Sequence, residues 1–397
     1  MADNKDKKVL NVPALRFPEF TGEWKRHKLS EVCSFYSGGT PSSSKKEYYN
    51  GDIPFIRSGE LHKDNTELFI TEDGLNNSAA KMVEVGDLLL ALYGATSGDI
   101  AISKIKGAIN QAILCIRTKQ NKKFIESVWN KHVERLLQTY LQGGQGNLSA
   151  DIVKNIPFYF ASCAEQDKLA QFVSLLDERI ATQNKIIEKY ESLIQAIIYK
   201  TKTNGISKGS WQKMELSKVL HERNEKNIDG RTICSVSVSQ GVVNQVEYLG
   251  RSFAAQQTNH YNVVKYGDIV YTKSPTGDFP YGIIKRSDIE EDVAVSPLYG
   301  VYTPSNDNIG VILHFYFMKP SNAFNYLHPL IQKGAKNTIN ITNLRFLENF
   351  VPLPISENEA YTIATTLKTI QKKIDIEKRL LQAYMIEKEY LLRQMFI

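Results

Sequence analysis

The feature that most limits what this chain can fold into is an internal repeat at half its length. Trp24-Lys25-Arg26-His27-Lys28-Leu29-Ser30-Glu31-Val32 recurs as Trp211-Gln212-Lys213-Met214-Glu215-Leu216-Ser217-Lys218-Val219, an offset of 187. The Gly86-Asp87 pair and its apolar flanks recur at Gly267-Asp268, an offset of 181. Asn155-Ile156-Pro157 reappears as Asn349-Phe350-Val351-Pro352, and Glu165 to Ile180 aligns with Glu359 to Ile374 at a constant offset of 194. With 397 residues in the chain, two units account for almost all of it, and each must build the same sub-fold.

Each unit changes texture part-way. Its first part is rich in Gly, Ser, Thr, Asn and Tyr, with short β-type runs at Asp87 to Tyr93, Ala108 to Thr118, Gly267 to Lys273 and Val293 to Thr303. The Gly-Asp segment reads as a turn entering a buried strand. Its second part is a long helix without Gly or Pro. From Glu165 to Lys200 the positions Leu169, Phe172, Leu176, Ile180, Ile187, Tyr190, Ile194 and Ile197 alternate spacings of three and four, broken only at Gln183. Ile363, Leu367, Ile370, Ile374, Leu381, Tyr384 and Leu391 repeat the pattern, with the break at Glu377. An isolated seam cannot bury its face, so the two helices are expected to pack on each other. An antiparallel pair gives an internal pseudo-two-fold axis and brings Gln183 and Glu377 near its middle, where a polar contact could fix register. Two surface polar residues on curved helices are the alternative.

The fold class predicted is therefore α+β: two tandem α/β domains separated by two long antiparallel coiled-coil helices. The boundaries read as an N-terminal segment 1–20, a first domain 21–160, a first helix 161–203, a second domain 204–354 and a second helix 355–397. Charge is the weaker guide. The chain carries 49 Lys and Arg against 43 Asp and Glu, a net charge of +6. The two helical stretches contribute −1 and +2, leaving +5 on the remainder, which permits an anionic partner without requiring one. Cys33, Cys115, Cys163 and Cys234 are too widely spaced for a zinc-type pair, and no disulfide framework is expected. No apolar stretch approaches the roughly 20 residues that span a bilayer. A reduced, cytoplasmic protein with no membrane attachment is the expectation.

Two similar domains joined by a helical frame suit a partner that is itself periodic, and duplex DNA leads, because protein symmetry is commonly matched by paired half-sites. Loops rich in small polar and basic residues are the candidate readers. In the first domain these supply Ser37, Gly39, Thr40, Arg57, Tyr93, Thr96, Gln142, Gln145 and Asn147. In the second they supply Arg223, Lys226, Lys273, Ser274, Thr276, Lys333, Lys336 and Asn337. Glycine allows close backbone approach to phosphate, and Arg, Lys, Gln and Asn can pair with guanine or adenine edges. Any one of these loops is more often an ordinary turn than a contact.

The residues also carry a family resemblance. Leu15-Arg16-Phe17-Pro18-Glu19-Phe20 followed by Trp24, Ser37-Gly38-Gly39-Thr40-Pro41, Ile53-Pro54-Phe55-Ile56-Arg57, Tyr93-Gly94-Ala95, Asn110-Gln111-Ala112 and Glu165-Gln166 together resemble the DNA specificity subunit of type I restriction-modification systems. The resemblance extends over nearly the whole chain. The second half departs from it in two places. Asn358-Glu359 stands where Glu165-Gln166 would be expected, and the Asn-Gln-Ala element has no clear counterpart around Ala294-Val295-Ser296-Pro297.

The resemblance implies a non-catalytic reader of double-stranded DNA, each domain recognising one half of a split target and the helices setting the spacer. It implies two methyltransferase subunits and two restriction subunits as partners. S-adenosylmethionine, ATP and Mg would belong to those partners, with no cofactor on this chain. Leu169, Leu176, Ile180, Ile187, Tyr190, Ile370, Ile374, Leu381 and Tyr384 are the candidate subunit-contact positions.

An enzyme is the competing class. Asn155-Ile156-Pro157-Phe158 resembles the loop with which aminomethyltransferases hold a flipped base, but Ile156 replaces the first Pro and the repeat points to a connector. No phosphate loop or His-Glu-x-x-His helix is present, and the seven histidines are dispersed. A coiled-coil scaffold without nucleic acid explains the helices but not two domains with aligned loops.

Overall fold

The computed structural model describes residues 10–140, 147–250, 257–333 and 339–397. The chain divides into two compact units, one running to Gln183 and taking in Leu380–Ile397, the other Asn184–Arg379. The division falls inside both long helices, so each unit holds a domain and part of each helix.

In the first unit the chain runs through β1 (Lys25–Lys28), α1 (Leu29–Val32), β2 (Cys33–Ser37), β3 (Tyr49–Ile56), β4 (Phe69–Ile70), α2 (Glu72–Asn76) and β5 (Lys81–Val83). It continues through β6 (Leu88–Ala91), β7 (Ile100–Ile102), β8 (Gly107–Ile109), β9 (Ile113–Thr118), α3 (Lys122–Tyr140), α4 (Ala150–Asn155), β10 (Pro157–Phe160) and into α5 (Cys163–Lys208). The central sheet has the order β2-β9-β6-β7 and is antiparallel throughout. A second sheet has the order β4-β3-β8-β5, with β3 and β8 parallel.

All four residues of β6 are buried, because the central sheet is covered on both faces. Leu88 and Leu90 pack with Leu114, Ile116 and the α3 residues Phe124, Val128 and Trp129. Leu89 and Ala91 point the other way, toward Ile56, Val83 and Ile109 of the second sheet. That two-residue alternation is the strand period at work.

In the second unit follow β11 (Trp211–Glu215), β12 (Leu220–Glu222), β13 (Cys234–Ser237), β14 (Gly241–Asn244), α6 (Gln245–Leu249), β15 (Asn262–Val264), β16 (Ile269–Tyr271) and β17 (Ile284–Arg286). Then come β18 (Val293–Val295), β19 (Gly300–Pro304), α7 (Asp307–Phe317), α8 (Pro320–Leu327), β20 (Gln332–Lys333), β21 (Ile339–Asn340), α9 (Asn343–Phe346), β22 (Phe350–Pro354) and α10 (Glu357–Met395). The repeat is structural. The sheet β12-β19-β16-β17 copies β2-β9-β6-β7, the pair β11·β22 copies β1·β10, and β15·β18 copies β5·β8.

The Gly-Asp element is the turn expected of it. Gly86 and Gly267 sit at φ of 89° and 88°, backbone space that a side chain disfavours. Each aspartate accepts the backbone N–H three residues back, Glu84 at 3.0 Å and Lys265 at 2.8 Å. Asn155 ends α4 and Pro157 opens β10, so the loop with a superficial likeness to a base-holding motif is a helix-to-strand connector.

The helices are longer than the periodicity suggested. α5 has 46 residues and α10 has 39, about 69 Å and 58 Å at 1.5 Å per residue. α5 passes through Gly205, where an added Cβ would lie 1.9 Å from the Trp211 ring, so a glycine beyond the expected helix end is a seat for that indole. Within the first unit the two helices run antiparallel: Asp177 pairs with Lys388 at 2.5 Å, and Arg179 stacks on Tyr384 at 4.5 Å and donates to its hydroxyl. Within the second, Glu191 pairs with Lys378 at 2.9 Å. Gln183 is buried and Glu377 half-buried.

The candidate subunit-contact positions divide by burial. Leu169, Ile187, Ile370 and Ile374 are buried inside the chain, and Leu176, Ile180, Tyr190, Leu381 and Tyr384 are half-buried. The four buried positions pack within the chain, and the five half-buried ones keep part of their surface open. The exposed apolar side chains of the helices are others, among them Leu175, Leu193, Ile376, Ile386 and Tyr390.

Candidate nucleic-acid interface

The topology of the first unit carries the candidate loops to one end of its sheets. Ser37 faces Leu114 where β2 leaves the sheet, Ala91 faces Ile113 where β6 leaves it, and Ile56 runs parallel to Ile109 where β3 ends. The segments after β2, β3, β6 and β8 therefore emerge together. Hydrogen bonds tie them: Gly39 N–H to the Ile109 carbonyl at 3.3 Å, Leu92 N–H to Ala112 at 2.8 Å, and Leu148 N–H to Leu92 at 2.9 Å. The last of these brings Asn147 in. Thr40 donates its hydroxyl to the Gln111 side chain.

Within that cluster the side chains differ in what they can offer. Ser37, Thr40, Gln111 and Asn147 are exposed, and Tyr93 and Thr96 are half-buried. Gly39 is buried, and a Cβ there would lie 2.5 Å from that of Ala79, so packing explains this glycine without a phosphate. Arg57 is committed to carboxylates, pairing with Glu60 at 2.8 Å and Glu67 at 3.0 Å. Burial alone would raise the Glu60 carboxyl, but hydrogen bonds from Arg57, from the Thr66 hydroxyl and from backbone N–H groups bring it down to about 2. Gln142 and Gln145 lie outside the described residues.

The second unit gathers its loops the same way. Glu222 faces Tyr302 where β12 ends, and Tyr271 faces Gly300 where β16 ends. Arg223 is clamped by Asp268 at 2.6 and 3.0 Å and donates to Thr303 at 2.8 Å, which holds its guanidinium above the usual range. Lys226 donates to Asn262 at 2.6 Å, and Asn262 in turn donates to the Tyr299 carbonyl at 2.9 Å. Lys273, at φ 60°, donates to Asn343 at 2.5 Å, and its burial lowers its pKa. Ser274 and Thr276 are exposed, the latter bridged to Phe279 in a tight turn. Lys333 lies in β20, while Lys336 and Asn337 lie outside the described residues.

Four of the cations nominated from sequence, Arg57, Arg223, Lys226 and Lys273, are thus each bonded to their own chain. Among the nominated residues that the structure describes, the exposed ones not held by a carboxylate or amide are short and neutral: Ser37, Asn147, Ser274 and Thr276. Three residues that organise these ends were not nominated. Gln111 sits inside a tripeptide already noticed for its resemblance, whereas Asn262 and Asn343 are single asparagines with no local signal. The connection Ser296–Tyr299 occupies the place of Asn110–Ala112, between β18 and β19 as the latter lies between β8 and β9.

Comparison with known proteins points one way. Residues 21–192 match the family described as the type I restriction modification DNA specificity domain. The chain is 22% identical to the specificity subunit of the type I restriction enzyme MjaVIII of Methanocaldococcus jannaschii, with 94% of this chain and 92% of that one covered. It is 25% identical to the specificity subunit of EcoR124I/EcoR124II of Escherichia coli over 52% of this chain and 48% of that one. In fold it is similar to the S subunit of a type I restriction-modification system from M. genitalium, with a TM-score of 0.60, 14% identity, and 97% and 99% of the two chains covered. The half-length repeat, the two copied sheets and these relatives converge: residues 21–192 match a type I restriction modification DNA specificity domain, and nearly the whole chain is similar to a specificity subunit of a type I restriction enzyme.

Proposed function

We propose that each α/β domain reads one half of a bipartite, asymmetric DNA target, and that the helix pair fixes the number of unread base pairs between the halves. The observation that carries this is the duplicated sheet whose loops leave at the same end in both units while their sequences differ. Duplicated frames suit duplicated contacts, and unlike loops suit unlike half-sites. The neutral Ser, Thr, Asn and Gln side chains at these ends suit base edges, and phosphate contacts from Arg57 or Arg223 would require exchange of an existing carboxylate partner. Two methyltransferase subunits and two restriction subunits complete the assembly in the cytoplasm. S-adenosylmethionine, ATP and Mg are held by those subunits.

The test is a map of methylated adenines in cells expressing this chain with its methyltransferase partner. The expected result is a two-part motif with one methylated adenine in each half, on opposite strands. Exchanging residues 21–160 for another domain should change one half and leave the other. A contiguous motif, or a motif indifferent to the exchange, overturns the reading.

A further inference from the structure

The second unit holds a cavity of about 650 Å³ between the edge strand β17, helix α7 and the first half of α10. That volume is within the range of small-molecule sites. It adjoins the edge of the central sheet, and its lining includes none of the loop residues nominated as DNA readers. Five cationic side chains line it, Lys285, Arg286, Lys368, Lys372 and Lys378, against three acidic ones, Asp288, Glu290 and Asp375. Lys368 and Lys378 are taken by Asp307 and Glu191, and Arg286 by Asp288 and Asp307. Lys285 is different: the residue is 4% exposed and pairs with no carboxylate among the described residues, and its Nζ, unlike the Arg286 Nε, is not shut off from the cavity. The buried Arg286 Nε has no hydrogen-bond partner among the described residues.

An unpaired buried ammonium is costly, and burial pushes Lys285 down to about 8. The Lys285 ammonium and the orphaned Arg286 Nε are both donors that cannot accept, so the partner they suit is an acceptor. His314 adds to the same polarity. Its Nδ1 accepts the Arg286 N–H at 3.0 Å, which leaves Nε2 as a donor, and burial beside Lys285 and Arg286 holds the ring neutral with a pKa of about 3. Beside His314, the same face of α7 and the residue that follows it add the apolar side chains Val311, Phe315 and Met318 to the lining.

From this juxtaposition we infer that the cavity is a binding site for a small phosphate-bearing anion, anchored by Lys285 and the free edge of Arg286. It is separate from the proposed reading of DNA. The experiment is thermal unfolding of the full chain titrated with inorganic phosphate or AMP, against sodium chloride at matched ionic strength. Saturable stabilisation by either is expected. Tighter binding of AMP assigns the apolar lining to a nucleoside, and equal binding assigns the site to phosphate alone. Lys285→Met should raise the Tm of the anion-free protein and weaken binding at least tenfold. No stabilisation beyond that of chloride, or unchanged binding by the variant, overturns the site. Should the variant fail to fold, acetic anhydride labelling of the native chain decides: phosphate must slow Lys285 acetylation at least tenfold, and equal rates overturn the proposal.

Discussion

The two domains have the same sheet and solve the same electrostatic problem with different residues. Asp87 and Asp268 occupy equivalent turns and each needs a cation. In the first domain it is Arg117 on β9, which reaches Asp87 at 3.0 Å and stacks on Tyr36 of β2. In the second, the position matching Arg117 is Thr303, and the arginine has moved to the strand matching Tyr36, as Arg223. The registers make the exchange exact in topology: Ser34 faces Arg117 as His221 faces Thr303, and Tyr36 and Arg223 each follow two residues later. What the fold keeps is one guanidinium beside the buried carboxylate, not its address. The burial differs too, since the Arg117 side chain is 48% exposed and that of Arg223 20%.

That difference can be broken by mutation. Asp268→Asn strands a mostly buried guanidinium and should cost about 3 kcal/mol in denaturant unfolding. Asp87→Asn, whose main partner is half in water, should cost about 1 kcal/mol; equal costs would dissolve the distinction. Arg117→Thr should lose about 1 kcal/mol, and adding Tyr36→Arg, which installs the arrangement of the second domain, should recover part of it. A double variant no better than the single one would mean that the arginines are not interchangeable.

Acid sharpens the comparison. Burial works to raise the Asp87 carboxyl, but the Glu84 N–H, Arg117 and Lys122 hold it below its usual 3.8. Its contribution is therefore complete above that pH and lost as pH falls through the lower folded value, a loss that should vanish in Asp87→Asn. A further contrast concerns the repeated tryptophans. Trp211 Nε1 donates to Glu359 at 2.7 Å, whereas the buried Trp24 Nε1 has no partner, because Glu165, the counterpart of Glu359, is taken by Arg16 at 2.7 Å. Trp211→Phe should cost about 1.5 kcal/mol more than Trp24→Phe.

The parts of this fold legible in sequence are those that repeat or follow a period. The Gly-Asp turns, the two long helices and the division into two like halves all rest on patterns that survive divergence between the copies. The site was legible as loops but not as chemistry. Arg223 and Lys273 read as free cations, because the carboxylate and amide that hold them, Asp268 and Asn343, lie 45 and 70 residues away, whereas Arg57 has Glu60 only three residues on. In sequence the first helix ends by residue 203, and only the packed Trp211 ring shows why Gly205 still lies within it.

The placement of Leu380–Ile397 has a consequence for how the molecule is made. These last residues complete the first domain: Phe396 packs on Trp24 and Phe124, the Leu15 N–H donates to the Gln394 carbonyl, and Lys131 donates to the Phe396 carbonyl. On the ribosome the domain synthesised first must wait for the final turns of α10 before its core can close, while Asn184–Arg379 has all its parts earlier. A chain cut short after Arg379 would therefore keep its later domain and lose the integrity of its earlier one.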